Sequence, residues 1–205
     1  MFALVESGSI TKMMKGNRGI TIGDNQYPAA IFTVAWTESE RNAIGVYTVE
    51  IDNTNKKDEA WYINTDITYA FGSGKVTGTY GTATARAIAD TLWTSQDKTD
   101  GKIREGEDVG DVAVEGLKTI KKRMIDNQCA GLLAPSDYMA IKAAEGIAID
   151  SGWKTWRASV RTKCNSMQTQ IDNAANVDAL AALFTYTEQE DKSVTRPLGE
   201  FPVKE

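Results

Sequence analysis

The chain contains no histidine. That absence removes Ser-His-Asp and Cys-His catalysis, most zinc sites and the commonest general base. Cysteine is scarce as well: Cys129 and Cys164 are the only two, too few for a disulfide scaffold and expected to be buried as small hydrophobes. No apolar run approaches the roughly 18 residues needed to cross a bilayer. The start, Met1-Phe2-Ala3-Leu4-Val5-Glu6, meets a charge without a basic segment before it, so it does not read as a signal peptide, and synthesis in a cytoplasm is expected. Positive charge is thin. Lys and Arg total 23 against 28 Asp and Glu, a formal net charge of −5, and the longest basic run is Lys121-Lys122-Arg123. No nucleic-acid footprint follows from that, and the run reads as a solvated helix face.

Motifs that would carry chemistry fail on spacing. The acidic stretch Asp97, Asp100, Glu105, Glu107, Asp108, Asp111 lacks the alternation of a calcium loop. Gly72-Ser73-Gly74 and Gly78-Thr79-Tyr80-Gly81 lack the Gly-Lys-Ser/Thr element of a phosphate loop and read as hairpin turn and strand. Glu38 with Glu40, and Asp58 with Glu59, are better explained by helix capping and solvation than as paired glycosidase acids. The aromatics Trp61, Tyr62, Tyr69 and Phe71 read as sheet core in preference to a sugar surface, and Trp153 with Trp156 as helix core in preference to a stacking platform. No catalytic residue, cofactor or metal site is expected, and the chain reads as a protein that is not an enzyme.

What is present is a change of periodicity. Phe2–Glu6 and Ser9–Lys15 are joined by Ser7-Gly8-Ser9, and Ile67–Phe71 and Lys75–Thr82 flank Gly72-Ser73-Gly74; both pairs read as β-hairpins. Thr37-Glu38-Ser39-Glu40 is a capping box for a short helix that stops at Gly45. Val46–Ile51 alternates as a strand, with Val46, Thr48 and Glu50 on one face and Tyr47, Val49 and Ile51 on the other. From about residue 83 the pattern turns helical. A helix is expected through Ala85, Ile88, Ala89, Leu92 and Trp93, followed by an acidic, glycine-rich linker. Further helices follow: one with the stripe Val112, Leu117, Ile120, Met124, Ile125; one from Ser136 or Asp137 with Tyr138, Ile141 and Ala144 inward; a long one after Ser151 with Trp153, Trp156, Val160, Cys164, Met167 and Ile171 inward and Arg157 and Arg161 outward; and a short one capped by Asn176. The expected architecture is α+β: a β-rich antiparallel domain over 1–83 with one short helix, a helix and linker over 84–110, a helical domain over 111–184, and an extended arm over 185–205. The arm holds Pro197 and Pro202, which bar helix and central strand, yet keeps Leu198 and Phe201. Arg196, Leu198 and Phe201 are therefore the candidate partner-binding residues.

Several segments together resemble a known group. They are Leu132-Leu133-Ala134-Pro135-Ser136-Asp137-Tyr138-Met139-Ala140-Ile141-Lys142-Ala143-Ala144-Glu145, Trp153-Lys154-Thr155-Trp156-Arg157-Ala158-Ser159-Val160-Arg161, Val177–Leu183, and Arg196-Pro197-Leu198-Gly199-Glu200. In the first half Trp36–Tyr47 adds to them. The chain resembles small tail-associated proteins of tailed bacteriophages, including tail-fibre assembly proteins. The resemblance implies a virion tail protein made in the host cytoplasm. It would connect or decorate fibre, baseplate or tube proteins, and a homo-oligomer fits the same reading. Neither nucleic acid nor membrane would be a partner. A tail-fibre assembly chaperone is the alternative role that the resemblance carries.

Overall fold

The computed structural model describes residues 1–204, and the chain divides into two compact units, Met1–Thr84 and Ala85–Glu205. It is α+β, as the change of periodicity predicts.

In the first unit, β1 (Phe2–Glu6) and β2 (Ser9–Met14) form the first hairpin. Ser7 and Gly8 both have positive φ, the conformation whose twist suits a two-residue turn. A ribbon of β3 (Ile20–Ile22) and β4 (Asn25–Tyr27) follows, then a 3-10 turn over Ala29–Phe32. Helix α1 (Glu38–Ala43) starts on the expected capping box: the Thr37 amide donates to Glu40 Oε2 at 2.7 Å and the Glu40 amide to Thr37 Oγ1 at 3.3 Å. Next come β5 (Val46–Asp52), β6 (Tyr62–Ile63), and the second hairpin of β7 (Ile67–Gly72) and β8 (Lys75–Tyr80).

The main sheet runs β2-β1-β5-β8-β7 and curls into a half-barrel in which the edge strands β2 and β7 approach each other. One pairing departs from the antiparallel expectation. β5 and β8 are parallel, with Val49 opposite Val76. A parallel pair needs a crossover of a dozen or more residues, and the stretch from 53 to 74, which includes β7, supplies it. Both sheet faces are covered. Ala3, Val5, Val49 and Val76 pack on one side, joined by Tyr47, Tyr69 and Phe71; Leu4, Ile20, Ile31 and Val46 pack on the other, joined by Phe2, Phe32 and Trp36. Tyr69 and Phe71 are thus core side chains.

In the second unit the helix expected across 85–93 does not form. The stretch holds β9 (Thr84–Ala85) at the boundary and β10 (Thr91–Leu92), which pairs with β11 (Val112–Val114). Tertiary demand explains the difference. The carbonyls of Ala87 and Ile88 accept from the amides of Leu117 and Lys118 at 2.9 and 3.1 Å, and the Asp90 carboxylate accepts from the Gly116 amide at 2.6 Å and the Thr119 hydroxyl at 2.8 Å. The three amides are among the otherwise unpaired backbone donors at the start of helix α3 (Leu117–Leu133). Residues 87–90 form its N-terminal cap from a distance in sequence, and a helix there would consume the same carbonyls. The Gly116 and Thr119 donors, the amide first, hold the Asp90 carboxyl below its ordinary range.

Gly116 is required by this contact. A Cβ there would lie 2.3 Å from the Ala89 carbonyl carbon and oxygen, which are backbone and cannot swing aside. Gly116→Ala is expected to cost about 1–3 kcal/mol, checked by urea denaturation; an unchanged midpoint would mean that 87–90 does not hold α3.

The acidic stretch is folded too, so the 94–110 segment is not a free linker. Helix α2 (Ser95–Thr99) has its own Thr94/Asp97 capping box, Trp93 Nε1 donates to Glu107 Oε2 at 2.7 Å, and Lys98 pairs with Asp108 at 2.8 Å. Among the described residues no group of three or more Cys, Asp or Glu side chains is placed to hold a metal ion.

Helix α3 packs along the long helix α5 (Ser151–Asn173), with α4 (Asp137–Ala144) between them in sequence and α6 (Val177–Phe184) after. Asp150 caps α5 and Asn176 caps α6 through Trp153 and Ala179 amides. The buried row of α5 is Arg157, Val160, Cys164, Met167, Ile171. Trp153 and Trp156 are only half-buried, so the inward stripe is rotated at its N-terminal end and Arg157 faces in, against expectation. On α3, Leu117, Ile125 and Cys129 are buried, whereas Ile120 is exposed. The Lys121-Lys122-Arg123 run is engaged and not simply solvated: Lys121 lies over the Phe184 ring, Lys122 pairs with Asp172 and Arg123 with Glu115. No helix among the described residues is long and apolar enough to cross a membrane.

Both cysteines are buried free thiols. Burial first, then the neighbouring Cys129 thiol and Asp126, pushes the Cys164 thiol up to about 12. Only the thiolate alkylates readily. In native protein at pH 8, iodoacetamide is expected to leave Cys164 unmodified, whereas unfolded protein should take two adducts. Intact-mass measurement checks this, and rapid native labelling of Cys164 would contradict its buried placement.

Candidate partner-binding surface

The C-terminal segment is the site the sequence singles out, and the structure places it differently. A small ribbon of β12 (Thr187–Glu188) and β13 (Val194–Thr195) turns the chain back. Beyond it Leu198 is fully buried, its amide donating to the Leu183 carbonyl at 3.1 Å and its carbonyl accepting from Lys163 Nζ at 2.9 Å. Trp156 Nε1 donates to the Pro202 carbonyl at 2.9 Å. Arg196 pairs with Glu200 at 2.8 Å and lies over the Tyr186 ring, its side chain 8% exposed. Phe201 is half-buried. The segment is extended and anchored by spaced apolar residues, but the surface it covers is that of its own unit. Leu198 and most of the Arg196 side chain are buried within this unit.

A second feature escaped the sequence. The buried Arg157 guanidinium donates from Nη1 to the Leu133 carbonyl at 2.8 Å and to Ser136 Oγ, and from Nη2 to Asp137 Oδ1 at 2.7 Å. Ser136, also fully buried, donates in turn to the Leu133 carbonyl at 2.9 Å. One planar cation thus satisfies a carbonyl in the last turn of α3 and ties down the 3-10 turn (Ala134–Ser136) that leads into α4. A fixed fork of donors suits three acceptors in different directions; the signal in the sequence was the continuation of the buried spacing 157, 160, 164, 167, 171.

The feature left open is α4. The sequence predicts Tyr138, Ile141 and Ala144 inward, yet Tyr138 is 52% and Ile141 62% exposed, and no residue of this helix is buried. Ile147, in the connector to α5, is exposed beside them. The helix is fixed at its start by the Arg157 network and nearly bare along its length.

The solvent-accessible surface totals 13293 Å². A folded monomer of 22.4 kDa would expose about 9,400 Å², and two separate bodies of the sizes of these units about 11,300 Å². The chain therefore exposes more than either arrangement requires.

No protein family, no curated protein and no solved structure matches the chain.

Proposed function

We propose that this chain is a non-enzymatic structural protein of a bacteriophage tail, which stays in the virion and connects or decorates fibre, baseplate or tube proteins. The observation that supports this reading is the surplus of exposed surface, which includes large apolar side chains such as Tyr138 and Ile141 of α4 and Ile147 after it. In an assembly, neighbouring subunits cover exposed apolar side chains of this kind. The segment resemblance in the two Trp-containing stretches and the Leu132–Glu145 stretch supplies the particular assembly. Among the carboxylates that could have suggested chemistry, Glu40 and Asp97 have structural work as helix caps, and Asp90 does the same for α3. No catalytic residue, cofactor or metal is assigned.

Quantitative mass spectrometry of purified particles of the encoding phage tests this. A fixed copy number per particle is the expected result. Absence from particles, with the protein bound to fibre chains in infected cells, would overturn the structural role in favour of assembly chaperoning.

A further inference from the structure

We propose that the corner between α4 and α5 is a docking groove for an acidic, apolar-anchored peptide segment of a partner protein. The groove encloses about 270 Å³ and is lined by Ala140 and Ala143 of α4, Ile149 of the connector, and Lys154, Arg157 and Arg161 of α5.

Three properties select the occupant. The first is charge. Lys154, Arg157 and Arg161 are spaced by three and four, so they share one face of α5, and like charges at that spacing repel. Asp137 meets the charge of Arg157 alone. Lys154 and Arg161 have no ion pair or side-chain hydrogen bond among the described residues, and no carboxylate lines the groove. A local cationic strip on a chain of net charge −5 favours a partner's carboxylates over a second copy of the chain.

The second property is shape and polarity. The short side chains of Ala140 and Ala143 let a partner main chain come close, and Ile149 offers an apolar floor. The volume lies just below the roughly 300–1,000 Å³ of small-molecule sites, and suits one aliphatic or aromatic anchor with flanking carboxylates. The lining has no aromatic ring on which a base could stack, and two uncommitted cations are few for a phosphate backbone.

The third property is the state of α4 itself. An eight-residue helix with no buried residue is far below the roughly 12–15 residues at which isolated helices become marginal in water. Tertiary cover normally supplies what such a helix lacks, and on α4 it is incomplete on the groove side as well, where Ala140 and Ala143 are exposed. A peptide seated in the groove would cover the side of Ala140 and Ala143, with its carboxylates on Lys154 and in the fork of Arg161.

The test uses the full chain. A library of random twelve-residue peptides is selected on immobilised protein, and the enriched peptide is then synthesised. The expected peptide carries at least two Asp or Glu beside a large apolar residue. It should bind the wild type at least tenfold more tightly than a K154E/R161E variant, and its Gln-for-Glu analogue should lose a similar factor. Amide NMR shifts should centre on Ala140, Ala143 and Ile149. Should the charge-reversed protein fold poorly, K154Q/R161Q and the peptide analogue give the same comparison. The proposal is overturned by absence of an acidic consensus, by equal binding to the charge variants, by shifts centred elsewhere, or by a dimer that dissociates when Lys154 and Arg161 are reversed. Peptide binding is measured without particles, so its failure and failure of the virion assignment are separate results.

Discussion

Truncation after Tyr186 is expected to lower the stability of the isolated protein severely, and Leu198→Ala alone to cost about 2–5 kcal/mol. Leu198 is fully buried, and the segment that carries it supplies carbonyl acceptors to Lys163 and to the Trp156 indole. Removing the segment deletes the apolar anchor, opens the space it fills and leaves Trp156 and Lys163 without those acceptors. The truncated chain should therefore lose more than the point variant. Urea denaturation followed by tryptophan fluorescence reads both, since Trp153 and Trp156 lie beside the segment's end. A truncated chain as stable as the full one would show that residues 187–204 are an independent arm after all.

The second large effect is expected at Arg157. Arg157→Ala should cost about 3–5 kcal/mol, because it strips a buried cation from partners that remain buried behind it. Ser136 Oγ would keep only its donation to the Leu133 carbonyl. Arg157→Lys should recover only part of the loss: the charge returns, but a single ammonium cannot reach three acceptors in the geometry of a fork. Asp137→Ala should cost about 1 kcal/mol or less, since the Asp137 side chain is 60% exposed and the ion pair is screened on that side. The asymmetry is the diagnostic. Equal losses at Arg157 and Asp137 would mean that the ion pair, and not the buried carbonyl and hydroxyl, holds the corner.

Where local chemistry decides, the sequence could be read. Ser7-Gly8 and Ser73-Gly74 dictate their turns through positive φ, Thr37 and Glu40 fix their helix start within one turn, and the alternation of Val46–Ile51 sorts its side chains onto the two covered faces. What could not be read depends on partners distant in the chain. The carbonyls of Ala87 and Ile88 are spent on amides near residue 117, which propensity at 85–93 cannot reveal. The parallel pairing of β5 with β8 is set by which side of β8 is left open after it pairs with β7. Arg157 looked like a surface cation because charge usually marks the outer face, and only the acceptors at Leu133 and Ser136 make its burial tolerable. Pro197 and Pro202 correctly excluded helix for the C-terminal segment, but proline says nothing about whose surface an extended segment covers. The phage resemblance was carried by residue identity and not by physics, and so it remained an expectation that the fold alone does not decide.

The burial of Leu198 bears on how the chain comes off the ribosome. Domains tend to fold as units in the order in which they are synthesised. The half-barrel has all five of its strands once Tyr80 has emerged. The helical unit cannot close at that pace, since its last apolar anchor lies more than twenty residues after the start of its last helix, at Val177. Until Leu198 arrives, the place it fills beside Leu183 stays open to water or to chaperones. A product cut short between Thr84 and Leu198 would therefore carry a finished first unit and an unsealed second one. That exposed vacancy would mark incomplete chains for degradation.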